Sequence, residues 1–387
     1  MTDDSVYAMY DAIAAAASDD DRQLMEQCFG LKYNVHGLMS DPHIRTIYRP
    51  VSHTLRDWMH MTVSGGVANI QVAQVLNQLC KRGISLDMVG DFIETFTLPH
   101  RLGKTSKTWV SRKRLGDKKR ESLHSFAGIM LSVLPILTCF MEDVIGDADP
   151  LSDHKVCLQL LNQILGILSF GPEDTMTHIV LLRTLLQTWS QLYVNIHTGD
   201  LVKPKFHHFA IHVVDNAVCL GRMLSCFVTE RKHRATKRAA LHVFRSIDNT
   251  VVKDLLNRQC EGIIKEGESL FARRYLHNPK VIVSGGTHVH YSKRAVLHCG
   301  SIRFNDIVWL ASGELGKVIC FWSTIDGNAV VAQLAMYSRV VENDDTKWDI
   351  SDAILRLSDT DRILDAVIWG RLSETVVRVI KPPRAFV

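Results

Sequence analysis

The chain has 387 residues, 46% of them hydrophobic and 22% charged, with a formal net charge of +4 and a pI near 8.5. These are the values of a globular protein long enough for two or three domains, and a charge excess this small says less about partners than its distribution does. The nine cysteines are scattered and none stands in a CxxC pair, which excludes a disulfide framework or a compact cysteine-zinc site and points to reduced, intracellular thiols.

The N-terminus, Met1-Thr-Asp-Asp-Ser, is acidic and lacks the basic and apolar regions of a secretion signal. Tyr7, Tyr10, Ile13, Ala14 and Ala17 follow helical spacing, and Ser18 with Asp19 to Asp21 caps a second helix carrying Leu24 and Met25. Phe29 to Gly37, followed by Asp41-Pro42, is turn-rich and extended. Asp57 and His60 form an Asp-x-x-His unit beside Gly65-Gly66, ahead of a helix marked by Ile70, Val72, Val75, Leu76 and Leu79. Asp57 is either a helix cap or, with a distant partner such as Glu230, a metal-binding carboxylate.

Residues 99 to 120 hold the densest cationic run: Arg101, Lys104, Lys107, Arg112, Lys113, Arg114, Lys118, Lys119 and Arg120, opposed by Asp117 alone. With Trp109, Gly103 and Gly116 among them, they predict a loop that tracks a phosphate backbone, a solvated loop being the competing possibility. From Leu123 to Tyr193 the spacing predicts three helices, separated at Gly146 to Pro150 and at Gly171-Pro172. The first, Phe126 to Met141, is interrupted by Ser132, Pro135 and Thr138 and is expected as a buried helix rather than a membrane span.

Lys203 to His212 then places His207, His208 and His212 close together, His208 and His212 at i and i+4 on an expected helix. They are either a hydrogen-bonded pair or part of a metal site. After it, Glu230 is a lone carboxylate among Arg231, Lys232, His233, Arg234, Lys237 and Arg238. A solvated helix face mixes its signs, so the acid is expected either to pair with Arg234 or to bind a cation while its neighbours bind phosphate. Helical spacing continues from Ala239 through Leu256 and fades near Tyr275.

Beyond Pro279 the pattern turns to short β-rich runs at Val281 to Val283, Thr287 to Tyr291, Ile302 to Phe304, Ile307 to Leu310, Gly316 to Trp322, Ala329 to Leu334 and Thr375 to Ile380. This predicts a small, strongly bent barrel. Asn305 to Trp309 with Ser312 to Ile319 resembles the first strands of the SH3-like barrels of chromatin-reader modules.

Phe29-Gly-Leu-x-Tyr-Asn with Gly37-Leu, Arg56-Asp-Trp-Met-His60 with Gly65-Gly-Val, Pro204-Lys-x-His207 with His212, and Glu230-Arg-Lys-His233 occur in that order. In this order the chain resembles the C-terminal part of a transposase of CACTA and Plavaka-like DNA transposons. The resemblance implies an α+β fold, mostly α: an incomplete RNase H-like core with a large helical insertion and a small C-terminal SH3-like β-barrel. Its segments would be 1–66, a partial core; 67–200, the insertion with the basic loop; 201–278, the helical part carrying Glu230; and 279–387, the barrel. It also implies Asp57 and Glu230 as catalytic carboxylates holding Mg2+, with His60 beside them and Asp41 as a substitute for Asp57, in phosphodiester cleavage and strand transfer. The first catalytic Asp has no counterpart before Phe29. The expectation is therefore an N-terminally truncated, degenerate copy that binds DNA, nuclear or cytosolic, with no membrane partner. Homo-oligomers and a peptide ligand of the barrel are further expected partners. A helical interaction scaffold and a hydrolase built on His207, His208 and His212 are the competing expectations.

Overall fold

The structure is a computed structural model that describes residues 2–51, 54, 56–115, 122–169, 174–197, 201–226, 275–284, 287–297, 300–323, 330–340 and 346–380. The fold is α+β: helices dominate to residue 220, and a large antiparallel sheet follows. The chain divides into two compact units, Met1–Arg56 and Asp57–Val387.

In the first unit, Asp3–Ala14 and Asp19–Phe29 are the two expected helices, and Ser18 Oγ accepts from the Asp21 N–H at 3.1 Å. The extended segment after them is held by a buried tyrosine. Tyr10 Oη donates to the Asn34 carbonyl at 2.8 Å and accepts from the Asn34 N–H at 3.0 Å. Asp41 caps the short helix Pro42–Ile47, a local duty that occupies the carboxylate considered as a substitute for Asp57.

The second unit is organised around Ala127–Val144, whose buried run extends from Met130 to Met141. It packs with Val67–Lys81, Leu86–Glu94 and Ser152–Leu168, and Ile179–Ile196 closes the bundle on Ser152–Leu168. Ala127–Val144 is long and apolar enough to cross a membrane, but 67% of it is buried inside the protein, as the core of a helical layer requires. Two polar groups tie the layer together. Asn69 Nδ2 donates to the Leu123 carbonyl at 2.8 Å, and Trp189 Nε1 donates to Gln71 Oε1 at 3.0 Å.

Leu86–Glu94, which the sequence reading did not predict, presses its Gly90 against the segment at Lys107. A Cβ on Gly90 would lie 2.8 Å from Lys107 Cβ and 3.2 Å from Lys107 Cα. Gly90→Val is accordingly expected to cost about 1–3 kcal/mol, read as a lower urea midpoint, while a midpoint equal to that of the parent would show that the two segments separate freely.

The strands are β1 (Phe96–Thr97), β2 (Tyr275–Leu276), β3 (Lys280–Ser284), β4 (Thr287–Ser292), β5 (Arg294–Leu297), β6 (Gly300–Arg303), β7 (Ile307–Leu310), β8 (Leu315–Ser323), β9 (Val330–Arg339), β10 (Lys347–Asp359), β11 (Ile363–Ala366), β12 (Ile368–Arg371) and β13 (Val376–Ile380). The larger sheet runs β1-β12-β13-β10-β9-β8-β4-β3, with β7 bridging β8 and β11, and β2-β5-β6 form a second sheet. Each predicted β run overlaps a strand, Phe304 and Thr375 lying just outside theirs and Ala329 outside the described residues, and the larger arrangement is an open sheet with β1 and β3 at its ends. Lys347–Asp359 is the longest strand among the described residues and is not expected from the sequence because Asp349 to Asp352 interrupts its apolar alternation, where the pairing to β9 shifts register. The helical and β-rich parts are not separate bodies. β1 comes from the helical region and pairs with β12, and the Arg378 guanidinium of β13 donates to Asp143 Oδ2 at 2.5 Å.

Candidate functional site

The Asp-x-x-His unit opens a five-residue helix, Trp58–Thr62, with Asp57 as its N-cap. Asp57 Oδ1 accepts from the Met59 N–H at 3.3 Å, and Oδ2 accepts from the His60 N–H at 3.0 Å and lies 2.6 Å from His60 Nδ1. Its Oδ1 also accepts the backbone N–H of Cys226 at 2.8 Å. The carboxylate is thus both a cap and a long-range tie, with a side chain only 14% exposed against 44% for His60. Trp58, Met59 and Met61 on the same helix are buried and fix it to the core.

Two glycines shape the turn that follows. Gly65 takes a left-handed conformation at φ 61°, which glycine adopts without steric cost. Gly66 approaches the preceding backbone so closely that a Cβ there would lie 2.2 Å from the Met61 carbonyl oxygen. The tight turn leaves the Ser64 and Gly65 carbonyls for Lys205, whose Nζ donates to them at 3.2 and 3.0 Å. The Asp-x-x-His helix and the Lys203 to His212 segment therefore meet across 140 residues of sequence.

Within that segment the expected i, i+4 pair of His208 and His212 is joined by His207. His208–His212 is a π turn, and its wider winding brings positions five apart onto one face. His207 and His212 stand with their Nε2 atoms 3.0 Å apart, one imidazole donating and the other accepting, while the His208 ring lies 5.9 Å from that of His212. His207 also borders a cavity of about 530 Å3 with Val202 and Phe206.

The metal question turns on donor chemistry. Asp57, His60 and Cys226 place a carboxylate oxygen, a ring nitrogen and a thiol sulfur within 4.8 Å of one another. Mg2+ demands hard oxygen donors and retains water, whereas mixed N, O and S donors suit zinc-like ions. The described residues at Asp57 do not fit Mg2+. Cys226 was missed by the sequence reading, since a single cysteine far from Asp57 in sequence carries no spacing signal.

Glu230, Arg231, Lys232, Arg234 and Lys237 lie outside the described residues, as do Lys118, Lys119 and Arg120 and the helix expected after Ala239. In the remaining cationic run, Lys104, Lys107, Arg112 and Lys113 are exposed. Arg114 is tethered, its guanidinium donating to the His124 carbonyl at 3.1 Å. The backbone of Arg101 lies in the helical turn His100–Leu102. Its described part holds further helical turns at Lys107–Val110 and Arg112–Leu115, where a loop is expected. Trp109 does not serve as a stacking platform: it is 7% exposed, and with Val110 it anchors the segment in the core, leaving the flanking cations outside.

A scan against protein-family models finds no matching model, and a search of the curated proteins finds no matching sequence.

Proposed function

We propose that the chain is a transposase-derived DNA-binding protein that grips the phosphate backbone and does not cut it. The observation that carries this reading is the meeting of the Asp-x-x-His helix with the Lys203 to His212 segment through Lys205. A transposase core interrupted by a helical insertion needs these two motifs side by side, and the insertion between them here is the bundle Val67 to Ile196. In this reading the flanking segments are remnants of an RNase H-like core, and the strands around β7 and β8 correspond to an SH3-like element with a peptide ligand. A nuclear location and homo-oligomers belong to the same proposal. The donor set at Asp57 supports the non-cutting form of it.

The exposed cations Lys104, Lys107, Arg112 and Lys113 supply the grip, because each phosphate neutralised releases a counterion. The test is a titration of labelled duplex DNA over a salt series, comparing the parent with Arg112→Glu/Lys113→Glu. The variant is expected to bind about tenfold or more weakly at low salt, with the salt slope reduced by about two, and neither protein nicks DNA with Mg2+. Nicking abolished by Glu230→Gln would overturn the non-cutting reading. Absence of duplex binding at low salt would sink the DNA reading and favour the interaction scaffold.

A further inference from the structure

The β-rich region holds a cavity of about 630 Å3 that contains none of the exposed cations Lys104, Lys107, Arg112 and Lys113. Its lining includes Lys280, Lys293, Arg294 and Arg303, with His100 at one side, and contains no Asp or Glu among the described residues. An ordinary solvated surface mixes its charges, so four cations lining one cavity without a carboxylate call for a counter-charge.

Pairing of the strands makes the demand sharper. Arg294 of β5 and Arg303 of β6 are direct cross-strand partners, an arrangement in which like charges destabilise the sheet. Arg294 Nε donates to Ser301 Oγ at 2.8 Å. Arg303 Nε is buried with no hydrogen-bond partner among the described residues. Nearby Asp306 does not line the cavity. Its oxygens accept the backbone N–H groups of His100 at 3.1 Å and Arg303 at 2.9 Å, which fixes the cavity wall. An anion seated between the two guanidinium groups relieves the repulsion.

The anion does not come alone. Phe304, 41% exposed, borders the same cavity and has Lys293 Nζ 5.1 Å from its ring centroid. An exposed aromatic ring beside phosphate-binding cations is the pairing that recognises a base together with its phosphate. A few hundred cubic ångströms accommodates a small organic ligand, and a duplex is too wide to enter.

We infer that this cavity binds a nucleoside phosphate, its phosphate between Arg294 and Arg303 and its base on Phe304, supplied either by single-stranded nucleic acid or by a free nucleotide. The site shares no residue with the duplex-binding surface proposed above and does not depend on the transposase resemblance.

The test uses the full chain at low salt and two fluorescent probes, a labelled oligothymidylate and a labelled adenosine monophosphate, with inorganic phosphate as competitor. Lys280 and Lys293 are exposed, so Lys280→Glu/Lys293→Glu changes the cavity's charge at its surface, and the milder Lys280→Gln/Lys293→Gln covers a failure of the first to fold. Each double variant is expected to lose affinity, about tenfold or more for the charge reversal, and Phe304→Ala about tenfold, with circular dichroism and melting unchanged. Arg112→Glu/Lys113→Glu is expected to keep its mononucleotide affinity, which separates this site from the duplex surface. Binding of both probes assigns the site to free nucleotides, and binding of the oligonucleotide alone assigns it to single strands. The inference is overturned if neither probe binds, or if folded double variants bind as tightly as the parent.

Discussion

Gly66→Ala is expected to destabilise the Asp57–Val387 unit by ~3–5 kcal/mol. The added Cβ would stand 2.2 Å from the Met61 carbonyl oxygen, 2.4 Å from its carbon and 2.5 Å from the Thr62 oxygen. All three are backbone atoms of the Trp58–Thr62 helix, so no side-chain rotation relieves the overlap. The turn must open, and opening it moves the carbonyls that hold Lys205 and the Gly66 N–H that donates to Asn69 Oδ1 at 3.2 Å. Gly65→Ala is the matched control. Nothing lies within 4 Å of a Cβ there, so the cost is limited to the left-handed backbone, about 1–2 kcal/mol. Urea unfolding of the two variants distinguishes them, and equal midpoints would mean that close approach at Gly66 has no energetic weight.

Acidification is expected to weaken the helical layer through His197. This ring is 8% exposed, lies 4.3 Å from the Tyr193 ring and 5.5 Å from that of His154, and has a buried Nε2 with no hydrogen-bond partner among the described residues. Burial foremost, and then the neighbouring His154, lowers its pKa to about 4. Burial likewise lowers the pKa of His154. The folded protein thus binds fewer protons than the unfolded chain between about pH 4 and the ordinary histidine value near 6.5. Above that window both states are neutral and stability is independent of this group. As pH falls through it, the unfolded state takes up the proton first, and up to ~3 kcal/mol is lost. Urea midpoints at pH 7.5 and pH 5 measure the loss. His197→Phe is expected to flatten much of the dependence, His154 retaining the rest, and an unchanged slope would assign the acid sensitivity elsewhere.

Where the chain's own periodicity decides the outcome, the sequence was a sufficient guide. The expected stripes face one core from Met130 to Phe140, Leu161 to Leu168 and Leu182 to Trp189, although Phe126 and Val156 at their starts are exposed, and the alternation in β8 and β9 survives as buried and half-buried positions. Local capping chemistry was equally legible, at Ser18 and at Asp57. The Gly65-Gly66 pair could be recognised as a turn, although its intolerance of a side chain depends on the Met61 carbonyl folding back over it.

What the linear pattern could not carry was convergence between distant segments. Cys226 reaches Asp57 and Lys205 reaches Ser64 and Gly65 because the intervening helices pack into a bundle, an outcome of mutual burial rather than of local propensity. A π turn, not the helix implied by spacing, brings His207 within hydrogen-bond distance of His212. The basic cavity assembles from Lys280 of β3, the adjacent Lys293 and Arg294, Arg303 of β6 and His100 of the helical region, which look unremarkable in sequence because their density arises only when strand pairing sets Arg294 against Arg303. Composition and periodicity determined the elements and their inward faces, while tertiary packing alone decided which polar groups share a site, because those groups make their contacts across distances in sequence that no local force spans.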